Sequence, residues 1–126
     1  MSVDTFPYKK DGGKLYIEVT RGYAHPGSYI ISLWEANDNK KAIDDIKGNF
    51  INDKDDKHEL ELTNQNNDGR LIECSCMLDV LPPENNYSLT IKINQNGNKE
   101  FKEFTRAGST SNPTATVIIF ILLKET

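Results

Sequence analysis

The chain has 126 residues, of which 37% are hydrophobic and 27% are charged, and its formal net charge is -4. This length suits a single domain with a real hydrophobic core, and it needs neither metals nor disulfides to fold. The 15 lysine and arginine residues are scattered along the sequence. A nucleic-acid surface is therefore not expected, because phosphate binding requires densely placed cationic side chains.

The apolar segments are too short for membrane insertion or classical export. Residues 1–14 contain no apolar core of the kind found in signal peptides. The apolar run at residues 117–123 falls well below the ~20 residues that a spanning helix requires. We expect no transmembrane segment and a location that is cytoplasmic, or exported without a classical signal peptide.

Residues 1–13 read as a polar N-terminal lead-in that ends in the turn sequence Asp11-Gly12-Gly13, and residues 14–126 read as one β-sandwich domain. Alternating apolar residues and turn signals predict strands at short intervals after the lead-in. The predicted strands span residues 14–20, 28–36, 48–51, 57–63, 70–80, 87–94, 99–105 and 116–123.

Two segments carry further structural information. Asn96-Gly97 marks a hairpin between residues 87–94 and 99–105. Residues 116–123 are apolar at every position except the first, which predicts a central strand that is covered on both sides. Residues 42–46 fit either one helical turn or a loop.

This pattern predicts an all-β fold, namely a single-domain antiparallel β-sandwich of seven or eight strands. The architecture expected is immunoglobulin-like or C2-like. If the strands run up and down, the loops rich in Asn, Asp and Gly gather at one end of the sandwich. Such loop ends commonly carry binding function in sandwich folds.

Cys74 and Cys76 lie two residues apart in a predicted strand, so both side chains point to the same face. Residues at this spacing on one strand do not form a disulfide readily, because their Cβ atoms are too far apart. We expect reduced thiols that pack as small apolar groups, in preference to a metal or redox site.

The sequence contains none of the common nucleophile, metalloprotease, phosphate-loop or dinucleotide motifs. Its two histidines, His25 and His58, have no serine or cysteine partner in a recognisable pattern. We therefore expect a protein that is not an enzyme and that needs no cofactor. A small hydrolase or toxin-like protein is the third-ranked alternative.

Three side chains, Asn64, Asn66 and Asp68, have the oxygen-ligand spacing that opens a calcium-binding loop. They supply one carboxylate, and the twelfth loop position holds Ser75 where a bidentate glutamate would stand. The pattern is thus a weak calcium candidate, and no metal site is predicted. Asn, Asp and Gly are also the usual residues of tight turns, which is the interpretation we prefer.

Trp34 precedes the turn residues Asn37 and Asp38, and Asn96 falls in another loop of the same predicted end. An exposed aromatic ring beside amide and carboxylate groups is a common way to bind sugars. A tryptophan can equally cover a sheet face or a subunit contact, which is the interpretation we prefer. These residues and the calcium candidates together form the predicted ligand-binding set.

The leading functional prediction is a non-catalytic β-sandwich interaction module. It would bind a protein partner or self-associate as an accessory or structural part of a larger assembly. The alternative is a carbohydrate- or calcium-binding module that uses the Asn/Asp-rich loops.

Overall fold

The computed structural model describes residues 3–9, 12–36, 38–50, 56–60, 67–95 and 102–126, and within 38–45 and 56–60 it describes the backbone. These residues form nine strands and no helix. The strands are β1 (Val3–Tyr8), β2 (Leu15–Gly22), β3 (Gly27–Glu35), β4 (Asp38–Phe50), β5 (Asp56–Leu60), β6 (Leu71–Asp79), β7 (Asn86–Gln95), β8 (Lys102–Ser109) and β9 (Thr114–Glu125).

Two sheets make up the fold. The five-stranded sheet has the order β1-β9-β6-β3-β4, and the four-stranded sheet has the order β5-β2-β7-β8. Neighbouring strands are antiparallel except β1, which runs parallel to β9. The predicted all-β sandwich is therefore confirmed.

The registers give the strand directions within each sheet. Backbone hydrogen bonds of Asp79 with Pro26, Val80 with Pro113 and Thr110 with Asn85 bring the turns after β2, β6 and β8 to the same end. Successive connections consequently fall at alternate ends of the sandwich. Residues 12–14, 36 and 67–70 lie at one end, and residues 23–26, 80–85 and 110–113 lie at the other. This is the up-and-down arrangement under which the Asn/Asp-rich loops are expected to gather at one end.

The core lies between the two sheets and is filled by the inward residues of each strand. On β2 and β7 these are mainly leucine, isoleucine and valine at alternate positions, which is the pattern of a half-buried strand. The fully buried large side chains include Tyr8, Leu15, Ile17, Tyr29, Ile31, Leu33, Ile72, Leu78, Leu89, Ile91, Ile93 and Ile119. Phe104 of β8 is also buried and pairs with Ile91.

The number of strands differs from the prediction of seven or eight, chiefly at the N-terminus. Residues 3–8, assigned to a polar lead-in, form β1 and bury Phe6 and Tyr8. Residues 42–46, assigned to a helical turn or loop, lie within β4. This strand is polar because it is an edge strand, held by its backbone pairing with β3.

The prediction that residues 116–123 are covered on both sides is wrong. β9 does lie inside its sheet, between β1 and β6. Its inward residues, such as Ile119 and Ile121, are fully buried, whereas the outward Ile118 is 43% exposed. The four-stranded sheet covers one face of the five-stranded sheet. No other described element of the chain packs on the opposite face.

Among the described residues, no helix is long and apolar enough to cross a membrane.

Candidate interaction surface

The two outer faces of the sandwich have opposite character. On the four-stranded sheet, outward Glu18 lies beside Lys92, which forms an ion pair with Glu103 at 3.8 Å. The neighbouring hydroxyl groups of Thr90 and Thr105 form a hydrogen bond of 2.9 Å. The described outward side chains of this sheet are thus mainly charged and hydroxyl groups, and Glu18 among them is 9% exposed.

The outer face of the five-stranded sheet carries more large apolar side chains, which lie among polar residues such as Ser75, Glu73 and Lys47. Four large side chains on it are 41% to 53% exposed: Val3, Ile30, Met77 and Ile118. Phe120, Leu122, Leu71 and Trp34 add partly buried apolar surface around them. We call this set of eight residues the apolar face. Single exposed apolar residues are ordinary on protein surfaces, but a contiguous apolar patch commonly marks an interaction site.

Strand register shows that small and polar residues separate some members of the apolar face. Ile118, Ser75 and Ile30 are aligned across β9, β6 and β3, and Lys47 of β4 continues the same row. In the next row towards the C-terminal end of β9, Phe120 is aligned with Glu73. Outward side chains in such rows lie close enough to touch their neighbours across strands.

A recess of about 480 Å³ opens on this face. Small outward residues on two neighbouring strands line this space, because Ser75 and Ser28 carry short side chains. The larger side chains of Ile30, Met77 and Lys47 also line the recess. The apolar face therefore presents both a depression and projecting apolar side chains.

Trp34 lies on the apolar face, and its indole Nε1 donates a hydrogen bond of 3.0 Å to Glu73 Oε1. The contact joins β3 to β6 and satisfies the only polar group of the ring. This supports the preferred interpretation of Trp34 as a side chain that covers a sheet face.

His25 forms hydrogen bonds with backbone groups at the end of the sandwich that contains residues 23–26 and 80–85. It is 1% exposed, and Leu81 N–H donates to its Nδ1 at 3.2 Å. Nε2 therefore carries the ring proton, and it donates to the Asn86 carbonyl oxygen at 2.9 Å. Both nitrogens of His25 thus join the loop before β3 to the loop before β7.

Cys74 and Cys76 are free, buried thiols on the inner face of β6, as the sequence predicts. Burial raises the pKa of each thiol to about 12. A thiol that stays protonated is a poor nucleophile and a poor metal ligand. The described residues contain no group of three or more metal-binding side chains.

Of the predicted calcium candidates, Asp68 is described. Its Oδ1 accepts a hydrogen bond of 2.8 Å from the Glu125 backbone N–H, so it holds the end of β9. Beside it, Arg70 donates to Asn67 Oδ1 at 2.9 Å and to Glu35 Oε1 at 3.2 Å. These contacts give the loop a structural role.

The remaining predicted ligand-binding residues cannot be placed together as a site. Asn37, Asn64, Asn66 and Asn96 lie outside the described residues, and Asp38 is described by its backbone at the start of β4. Calcium and carbohydrate binding at this end stay predictions. Besides the loop end, an uncovered sheet face or edge is the other surface that the sequence predicts for an interaction module, and the outer face of the five-stranded sheet is such a surface among the described residues.

The signal for the apolar face was present in the sequence. Outward Ile118, Phe120 and Leu122 are the residues that make β9 apolar on both sides. Whether these residues belong to the core or to an exposed surface depends on whether a second layer covers that side of β9. The arrangement of the sheets decides this point. Comparison with family models, curated proteins and solved structures found no match to this chain.

Proposed function

We propose that this protein is a non-catalytic interaction module that binds protein through the apolar face. It either self-associates or joins a partner as an accessory part of an assembly. The observation that carries the proposal is the contrast between the two outer faces of one sandwich. An immunoglobulin-like or C2-like classification stays a prediction and adds nothing to this argument.

The energetic reason is the apolar area that remains exposed to water. Complete burial of one large aliphatic side chain is worth about 1.5–3 kcal/mol relative to full exposure. Val3, Ile30, Met77 and Ile118 retain about half of that exposure. A partner that covered them together would gain several kcal/mol, before the cost of ordering both surfaces.

The face is also suited to binding because backbone pairing holds its strands in place. Its residues lie on hydrogen-bonded strands, and the same strands hold the buried core on their other side. Little backbone ordering is then required when a partner binds. Rigid surfaces lose less entropy on association than flexible loops do.

A charged substitution tests this proposal. Ile118→Lys places an ammonium group at the centre of the apolar face without touching the core. We expect it to abolish concentration-dependent association, measured by size-exclusion chromatography with light scattering, and capture of partners in pull-down experiments. Its melting temperature should stay close to that of the parent protein.

Ala107→Lys provides the matched control. Ala107 is an exposed outward residue of β8, on the polar outer face of the four-stranded sheet. The control should associate as the parent protein does. Equal effects of the two lysine substitutions would contradict a specific role for the apolar face.

A further inference from the structure

We propose that the occupant of the apolar face is a second copy of this chain. The two copies pack face to face with their strands crossing at about a right angle, around a two-fold axis that passes over Ser75. This inference rests on the proposed function and specifies its partner.

A second copy fits the general form of the face. Sheets pack face to face at about -30° or near 90°, so a crossed pair is one of the two usual arrangements. Five strands at ~4.8 Å spacing give a width of roughly 24 Å, and a square of that side covers roughly 580 Å² in projection. Side-chain relief adds to this area, which approaches the ~800 Å² per partner of a standard interface.

The charges on the face favour the crossed arrangement. Lys47 lies in the same row as Ser75 but two strands away, a distance of about 10 Å across the sheet. Glu73 lies on the same strand as Ser75 and two residues away, a distance of about 7 Å along it. A two-fold axis in the plane of the interface, at 45° to the strands, exchanges these two directions. Lys47 of each copy then lies over Glu73 of the other.

The same two-fold axis also places the exposed apolar side chains of one copy over the recess and the apolar side chains of the other. Phe120 lies one strand from Ser75 on the β9 side and one row towards Glu73. The axis carries it over the second copy's recess, between Ser28 and Lys47. Ile118 of each copy is likewise brought over Met77 of the other. In this arrangement each lysine faces a glutamate of the other copy, each Phe120 ring faces the other copy's recess, and apolar side chains contact apolar side chains.

Charge reversal tests this arrangement. Lys47→Glu and Glu73→Lys should each weaken self-association at least tenfold, because each homodimer would contain two like-charged contacts. An equimolar mixture of the two variants should form a heterodimer, since both contacts in it join opposite charges. The double variant should recover association. Native mass spectrometry with one variant labelled with nitrogen-15 identifies the heterodimer.

Two further variants control the experiment. Glu73→Gln keeps an acceptor for the Trp34 N–H and removes the charge, so it should weaken association several-fold even if Glu73→Lys fails to fold. Glu103→Lys reverses a charge on the outer face of the four-stranded sheet and should leave association unchanged.

The outcomes separate this inference from the proposed function. Single reversals that associate as the parent does, or a mixture that forms no heterodimer, would overturn the crossed dimer. A parent chain that stays monomeric at high concentration would also overturn it. In that case, partner capture that is lost in Ile118→Lys would leave the proposed function standing. A dimer that Ile118→Lys does not disturb would overturn both.

Discussion

Arg106 and Asp4 join the two sheets along one side of the sandwich. The Arg106 guanidinium on β8 donates from Nη2 to Asp4 Oδ2 on β1 at 2.6 Å. The neighbouring Lys102 Nζ donates to the Thr5 carbonyl oxygen at 3.0 Å. β1 and β8 are the edge strands of their respective sheets, so these contacts close one side of the fold and occupy an acceptor on an exposed strand edge.

We expect Asp4→Ala to lower the free energy of unfolding by about 0.5–1 kcal/mol, which is the range for a partly exposed ion pair. Urea unfolding followed by circular dichroism measures the change. Glu103→Ala is the control, because the Lys92–Glu103 pair is longer, at 3.8 Å, and more exposed. If the two substitutions cost the same, Arg106 and Asp4 do not hold the edges together.

His25 links two loops through both of its ring nitrogens. His25→Ala leaves a buried N–H of Leu81 and the carbonyl of Asn86 without these partners. We expect the free energy of unfolding to fall by about 2–4 kcal/mol, because buried polar groups without partners are costly. Urea unfolding provides the measurement.

Glu84→Ala is the matched control for His25. Glu84 Oε1 accepts a hydrogen bond from the Asn86 N–H in the same loop, but the contact is exposed. Its removal should cost less than about 1 kcal/mol. A loss for His25→Ala that is no larger than this would argue against the two-loop link.

The two thiols predict a loss of stability at alkaline pH. Burial raises the pKa of Cys74 and of Cys76 from 9.0 to about 12. Above pH 9 the unfolded chain releases protons that the folded chain keeps, so the free energy of unfolding falls as pH rises towards 12. The slope is about 1.4 kcal/mol per pH unit for each thiol.

Urea unfolding at pH 8 and pH 10 checks this slope. Replacement of both cysteines by alanine should lower stability at pH 8 and flatten the decline between the two pH values. The native thiols should also resist alkylation at pH 8 until the chain unfolds. Rapid alkylation of the folded protein would show that the thiols are accessible, contrary to their burial.

Gly48 makes room for an aromatic ring in the core. It is paired with Tyr29, and a Cβ atom at Gly48 would overlap the Tyr29 ring. The ring also packs against Phe50, with centroids 5.2 Å apart. We expect Gly48→Ala to lower the free energy of unfolding by about 1–3 kcal/mol, the usual cost of an overfilled core.

Asn49→Ala serves as the comparison for Gly48, because Asn49 is the next residue of β4 and its side chain is exposed. It should change stability by less than about 0.5 kcal/mol. Thermal unfolding of both variants is sufficient. Similar melting temperatures for the two variants would show that the sheet accommodates a methyl group beside the Tyr29 ring without a loss of stability.

The interior strands could be predicted from sequence because each has one buried and one exposed side. Ile17 and Val19 on β2, and Ile91 and Ile93 on β7, give the alternation directly. β1 lacks this signal, since Phe6 and Tyr8 are separated by Pro7 in a short polar segment. Its position depends on pairing with β9, which is distant in sequence.

The apolar face illustrates a different limit. Alternation of apolar and polar residues shows that a strand has a buried side, but apolar residues on both sides have two explanations. A layer of the same chain can cover the second side, or that side can be left for a partner. For Ile118 and Phe120, the order of the strands in the sheet decides between them.

The up-and-down path of the chain places the described turns at the two ends of the sandwich, away from the apolar face. A change in a turn therefore need not alter the geometry of the face, provided that links between turns such as those of His25 are kept. A peptide or fluorescent label inserted at the 110–113 turn would project from one end of the fold. The domain thus offers a scaffold whose ends can be engineered separately from the surface through which it associates.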